Sequence, residues 1–301
     1  MIKRDGVEYI DQRRIRRQAW KFYVCLLAWP LYLFLIPYAF QLLGWWSLFF
    51  MIFPGAWLFS WVGYLMHESW HKYVPGMPSD LFYYLFGFML ITDPQVYRLV
   101  HGSHHAEVHT WNDTEFHPWG NIEPKPLRRL YNLMEIVFGN IFLQLVTTIR
   151  LLSQPRVESH FRLWLALVSP LVWLFFLGSI GWGSCRVFGL THPEVGISFL
   201  LSYFLGSLVQ HNSQLIEHGN LIIEGEWEER AVKTRNLQSD GVLEKVFLFL
   251  THNDSREHVL HHTLVQVYSR PFPGQVPLPQ DVVFITLKDY LKTAWGMITA
   301  G

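Results

Sequence analysis

Charge is scarce in this sequence. Only 16% of its 301 residues are Asp, Glu, Lys or Arg, whereas soluble domains carry about 25%. From Phe22 to Met66 there is none at all. Lys plus Arg balance Asp plus Glu at 24 each, so no basic surplus points to nucleic acid. Cysteine is scarcer still. Cys25 and Cys185 form no Cys-x-x-Cys pair, which argues against a thiolate-held iron–sulfur centre, and no disulfide between them is expected. No Gly-x-Gly-x-x-Gly element offers a seat for flavin or nicotinamide. A polar stretch, residues 1–21, precedes an apolar run too long for the core of a cleavable signal.

What the chain has in abundance is apolar and aromatic surface. Half of it is hydrophobic and 17% is aromatic. Trp20, Trp45, Trp46 and Trp182 flank apolar runs, where indole rings suit the headgroup level of a bilayer. One continuous helix from Phe22 to Met66 would overshoot a hydrocarbon core of about 30 Å. A break at Gly44-Trp45-Trp46 predicts two spans, roughly 22–43 and 46–66, with Pro30 and Pro37 bending the first. Residues 163–185 and 195–216 are also uncharged and predict a second pair. The uncharged runs 81–92 and 136–149 are too short to cross and read as interfacial or buried helices. The tail over 282–298 reads as another surface helix.

Seven basic residues lie before Phe22 and eight between 67 and 162, against Arg186 alone after the third span. The positive-inside rule then puts both termini and the 67–162 segment in the cytoplasm. The expected fold is therefore an all-α integral membrane domain covering 1–301. It has about four transmembrane helices in two hairpins and a cytoplasmic helical cap.

Histidine is clustered. His67 and His71 stand four apart, one helical turn, at the cytoplasmic end of the second span. His101, His104 and His105 form one His-x-x-His-His box, and His258, His261 and His262 form another. In each box the spacing can aim three imidazoles toward one point. His218, just past the fourth span, is the natural ninth member. Imidazole suits iron, zinc and copper, and nine ligands exceed the need of one ion, so two metals are the economical reading. All nine lie at or beyond the cytoplasmic span ends, although hydropathy alone drew those spans. A metal transporter would instead line mid-membrane with ligands, and a bis-histidine haem protein would face histidines inside two spans. His109, His117, His211 and His252 read as supporting or surface residues, and His160 and His192 as uninvolved.

The order His-x-x-x-His, His-x-x-His-His, His-x-x-His-His, with two spans between the last two boxes, resembles the membrane fatty acid desaturase and hydroxylase superfamily. The stretch from His104 to Pro118, including Trp111-Asn112-Asp113-Thr114-Glu115-Phe116, is similar to the acidic segment of acyl desaturases. Glu217-His218-Gly219 is similar to an element of alkane hydroxylases. Gln214 stands where some desaturases have a water-mediated Asn ligand. Pro271-Phe272-Pro273-Gly274 resembles a desaturase element but follows a longer spacer. The resemblance implies two iron ions held by His67, His71, His101, His104, His105, His218, His258, His261 and His262. It also implies O2 as co-substrate and desaturation of a fatty acyl chain, with hydroxylation or alkene-forming decarboxylation as sister outcomes. Electrons would come from a separate ferredoxin, rubredoxin or cytochrome-type protein, for which Lys125, Arg128 and Arg129 offer a basic docking patch.

Glu68, Glu107, Asp113, Glu217, Asp254 and Glu257 are the candidate carboxylate partners of the ligands. Trp61, Tyr64 and the run 81–92 are candidate walls of a substrate channel. Arg98, Lys125 and Arg270 are candidate anchors for an anionic headgroup.

Overall fold

The computed structural model describes residues 3–4, 7–8, 12–154, 157–265, 274 and 276–300. The Pro271–Pro273 element and Arg270 lie outside the described residues. The chain is mostly helical. Helix α1, Trp20–Leu43, ends at Gly44, whose φ of 55° is a left-handed value that suits glycine. A turn of 3-10 helix over Gly44–Ser47 reverses the chain, as the sequence predicts, and leaves Trp45 and Trp46 69% and 83% exposed. The return limb contains a π-helical turn at Met51–Gly55, where Pro54 removes an amide, and continues as α2, Ala56–Trp70.

After α3, Ser79–Met89, and α4, Pro94–Glu107, come two amphipathic helices, α5, Lys125–Phe138, and α6, Asn140–Ser153. The sequence predicts one short helix over 136–149. It is broken instead at Gly139, which has φ 58° and lies so close to Ser207 that a Cβ would collide with that residue's carbonyl. A helical stretch over Ser159–Phe188 includes a π-helical turn at Trp164–Val168 and then α7, Ser169–Phe188. Helix α8, His192–His218, opens on a capping box in which Thr191 and Glu194 exchange side-chain and backbone bonds.

Two stretches, Arg13–Trp70 and Ser159–Phe188, are long and apolar enough to cross a membrane by length and composition. Only 11% of the second one's apolar window is buried, so its hydrophobic surface faces outward rather than into a core.

Aromatic packing holds the long helices together. Trp29 of α1 stacks on Tyr32 and meets Phe59 of α2 and Tyr203 of α8 edge-on. The Trp29 indole and the Tyr203 hydroxyl both donate to the carbonyl of Met89, tying α3 to the same core. Helix α9, Val242–Leu250, and helix α10, His258–Thr263, follow. Strand β1, Arg235–Leu237, pairs in parallel with β2, Val283–Ile285, before the last helix, α11, Leu287–Thr299. The tail is thus a strand and then a helix, because its first residues complete a two-stranded sheet. Helix α11 is tied to α5 by Asn132, whose amide donates to the carbonyl of Met297 at 2.7 Å.

Candidate metal centre

The first pair of histidines closes α2: His67 lies in its last turn and His71 caps its C-terminus. The second box lies on α4, which starts cleanly because Pro94 follows Asp93, whose carboxylate accepts from the amides of Gln95 and Val96. His218 ends α8. The buried Arg235 guanidinium donates to the carbonyls of Leu215 and Gly219 and pins that helix end. The third box lies on α10, where the amide of Val259 donates to the side chain of Asn236 in β1. Four helices converging from distant parts of the chain thus deliver nine imidazoles to one place.

All nine histidines meet there, in three groups, the last two of which overlap at His218. His67, His71, His101, His105 and His261 place one ring nitrogen each within 4.8 Å of all the others. His104, His218 and His262 form a second group, and His218 and His258 a third that shares His218 and includes Glu217. Each His-x-x-His-His box therefore serves both sides and does not aim all three rings at one point. The reason is helical: neighbours such as His104 and His105 diverge by about 100°, while residues four apart share a face.

The nitrogens that converge are Nε2 atoms. Separations are 3.1 Å for His67–His261, 3.1 Å for His101–His105 and 3.4 Å for His71–His101. On the other side His218–His258 is 3.2 Å, and His262 is 3.3 Å from both. Ligands about 2.1 Å from a shared ion lie roughly 3.0–3.4 Å apart in octahedral or tetrahedral arrangements. Among the described residues the donor set and its spacing fit metal ions.

On His101, His104 and His258 the Nδ1 atom faces outward to a carboxylate. His104 meets Asp113 at 2.7 Å, His101 meets Glu115 at 2.8 Å and His258 meets Asp254 at 3.3 Å. This is the outer-shell arrangement that fixes ring orientation at metal sites. Asp113 also accepts from the amides of Glu115 and Phe116, so one carboxylate folds the loop and holds His104. Burial works against charge on His104, but Asp113 and then Glu115 outweigh it and its pKa is raised. Burial first, then neighbouring imidazoles, push His105 and His262 down, which keeps them neutral as ligands must be.

Glu115 is absent from the carboxylates singled out in the sequence; its position in the acidic stretch after the second box is the signal that points to it. Glu217 differs from its expected supporting role. Its carboxylate lies 3.3 Å from Nε2 of His258, on the converging side. The Glu107 carboxylate accepts from Thr110 in its own turn, and Glu257 accepts from the amide of Gly274. His109 is 2% exposed and touches His218, with burial pushing its pKa down to about 3.

His211 lies between Gln214 and Glu135, and His252 stacks among Trp57, Trp61 and Tyr64. His117 rests on Trp111, His160 pairs with Glu158 at the surface, and His192 lies by Cys185. Of the three basic residues proposed as a docking patch, Arg128 is buried: its guanidinium lies 4.5 Å over Trp111 and donates to Asn121.

No curated protein and no solved structure matches the chain. The family model for fatty acid desaturases matches residues 43–269, which hold all nine converging histidines. With three quarters of the chain matched, and the histidines of every box gathered at one buried site, this chain belongs to the fatty acid desaturase family.

Proposed function

We propose that this chain is a diiron membrane oxidase that uses O2 to desaturate the alkyl chain of a fatty acyl substrate. The observation that carries the reading is the double convergence of Nε2 atoms at 3.1–3.4 Å, backed by Nδ1 contacts to carboxylates. One iron would be held by His67, His71, His101, His105 and His261. The other would be held by His104, His218, His258 and His262, with Glu217 beside them. Bound there, the irons would supply reduction of O2 and abstraction of hydrogen from an unactivated C–H bond.

The protein's own contribution is orientation and exclusion. Asp113, Glu115 and Asp254 hold ligand rings by their Nδ1 atoms. Tyr97 stacks on His101 with ring centroids 4.9 Å apart, and Phe116 covers His104 and His218. These aromatic walls keep bulk water off the buried rings. In the overall reaction two adjacent carbons each lose a hydrogen, and O2 takes up those two hydrogens with two electrons and two protons to give two waters. The electrons come from a separate ferredoxin, rubredoxin or cytochrome-type donor, since the chain has no motif for a redox cofactor of its own.

The membrane arrangement that suits this chemistry is a single four-span domain. Its helices α1, α2, α7 and α8 form two hairpins, both termini are cytoplasmic, and the histidine-bearing ends lie on the cytoplasmic side. The positive-inside bias supports it.

A second reading, oxygen insertion to give an alcohol, is favoured by Glu217, which shares the converging side with His258 in a hydroxylase-like Glu-His-Gly element. Metal analysis and product analysis test both. Purified protein should carry two irons, and Ala at any of the nine histidines should abolish turnover. Deuterated alkyl substrates fed to expressing cells with a donor should return a double bond and two lost deuteriums. A hydroxylated main product would select the second reading, and near-normal activity in three or more histidine variants would refute both.

A further inference from the structure

Two cavities adjoin beside the histidines. The inner one, about 50 Å3, reaches His67, His101, His104, His218 and His258. The outer one, about 540 Å3, is walled by Leu145, Leu165, Trp173, Leu177, Phe199 and Leu200. That volume is within the range of small-molecule sites. Phe59, Leu90, Thr92, Asn140 and Gln144 line both and form the junction. Leu145 and Leu200 are 57% and 73% exposed, so the outer cavity opens sideways through apolar surface.

The walls change character along α8. Near His218 the inner cavity is lined by Gln214 and Gln210; about 22 Å of helix further from Gln214, the outer cavity is lined by Phe199. The inner end also takes in the carboxamides of Asn140 and Gln144. Oε1 of Gln144 is buried and has no partner among the described residues, a state that buried acceptors rarely keep. Room for Gln210 is built in: a Cβ on Gly63 of α2 would collide with its carboxamide. Among the residues that line either cavity there is no Lys or Arg, while Glu115, Glu217 and Asp254 line the inner one. Arg98 lies over Tyr83, and Lys125 is exposed at the start of α5, so neither anchors a headgroup here. An anionic head would lose its hydration with no side-chain cation in return. A cofactor-sized or protein carrier exceeds the inner cavity altogether.

We propose that the substrate is a single-chain compound whose small, uncharged head carries an O–H or N–H donor, as in a primary alcohol or amide. The head lies in the carboxamide neck at Gln144 and Gln210, and the tail runs outward past Phe199 and Leu200 to the bilayer. The proposal rests on the oxidase reading: it keeps the alkyl chain of that reading and replaces its anionic or carrier-bound acyl head with an uncharged one. The C–H bonds presented to the histidines are those close to the head, not those at mid-chain.

Photo-crosslinking tests the orientation without turnover. The full chain in lipid nanodiscs is labelled with two long-chain primary alcohols, one bearing a diazirine next to the hydroxyl and the other at the far end. The head-side probe should label residues 140–147 or 210–214, and the tail-side probe residues 165–177 or 199–203. Gln144→Leu and Gln210→Leu should each cut head-side labelling about tenfold. Retained tail-side labelling shows that the variants are folded. An ionised fatty acid of equal length should compete about tenfold less well than the alcohol. Reversed labelling, with the head at Trp173, whose indole N–H also lacks a partner among the described residues, would overturn the proposal. So would head-side labelling unchanged in both variants, or equal competition by the fatty acid. A protein that labels as expected yet oxidises nothing would refute the oxidase reading alone.

Discussion

Nε2 of His109 lies 3.1 Å from Nδ1 of His218, and Nδ1 of His109 lies 2.9 Å from the carbonyl of Arg230. A carbonyl only accepts, so Nδ1 of His109 carries the proton and its Nε2 accepts. His218 must then be protonated on Nδ1, which leaves its Nε2 free on the side of His258 and His262. His109 therefore sets the tautomer of a candidate ligand that has no carboxylate on its Nδ1.

A substitution series follows from that pair. The sequence leaves His109 as either a supporting or a surface residue, and the contact with His218 makes it a support. His109→Ala should weaken metal retention about 10–100-fold. His109→Gln should recover part of the loss, because its amide can donate to Arg230 and accept from His218. His192→Ala, remote from the cluster, should stay active. Iron per protein after dialysis measures all three.

The carboxylates should rank by what they hold. Asp113→Asn and Glu115→Gln should each lower metal affinity about 10–100-fold. Asp113→Asn should also cost thermal stability, since the same side chain accepts two backbone amides. Glu107→Gln should change neither, because its side-chain bond to Thr110 is local. Metal titration alongside melting curves separates the two effects.

The basic residues of α5 should divide in function. Lys125 and Arg129 are exposed, whereas Arg128 is buried over Trp111. Charge reversal at Lys125 and Arg129 should raise the KM for an acidic electron donor and flatten its salt dependence. Arg128→Ala should lower the melting temperature, through loss of the ring contact and the bond to Asn121.

Topology is open to direct measurement. Reporter fusions at Gly301 should give a cytoplasmic signal, and fusions near Thr191 an external one. A cytoplasmic signal at Thr191 would refute the four-span arrangement.

Much of this was legible in the sequence for local reasons. The absence of charge from Phe22 to Met66, interrupted by a glycine, is enough to predict a hairpin, because helix rise and bilayer thickness leave few alternatives. The three histidine boxes were equally plain, since spacings of three and four residues share a helix face.

The partition of those histidines was decided by tertiary structure. His104 and His105, or His261 and His262, are adjacent in the chain yet belong to different groups. Which partners each ring meets depends on how α2, α4, α8 and α10 cross, and spacing within one helix does not encode that. The supports were hidden for the same reason: His109 reaches His218 across 109 residues of chain, and Gly63 makes room for Gln210 on another helix. Local spacing sets the direction of a side chain from its own helix, but only the packing of one helix on another decides what it touches.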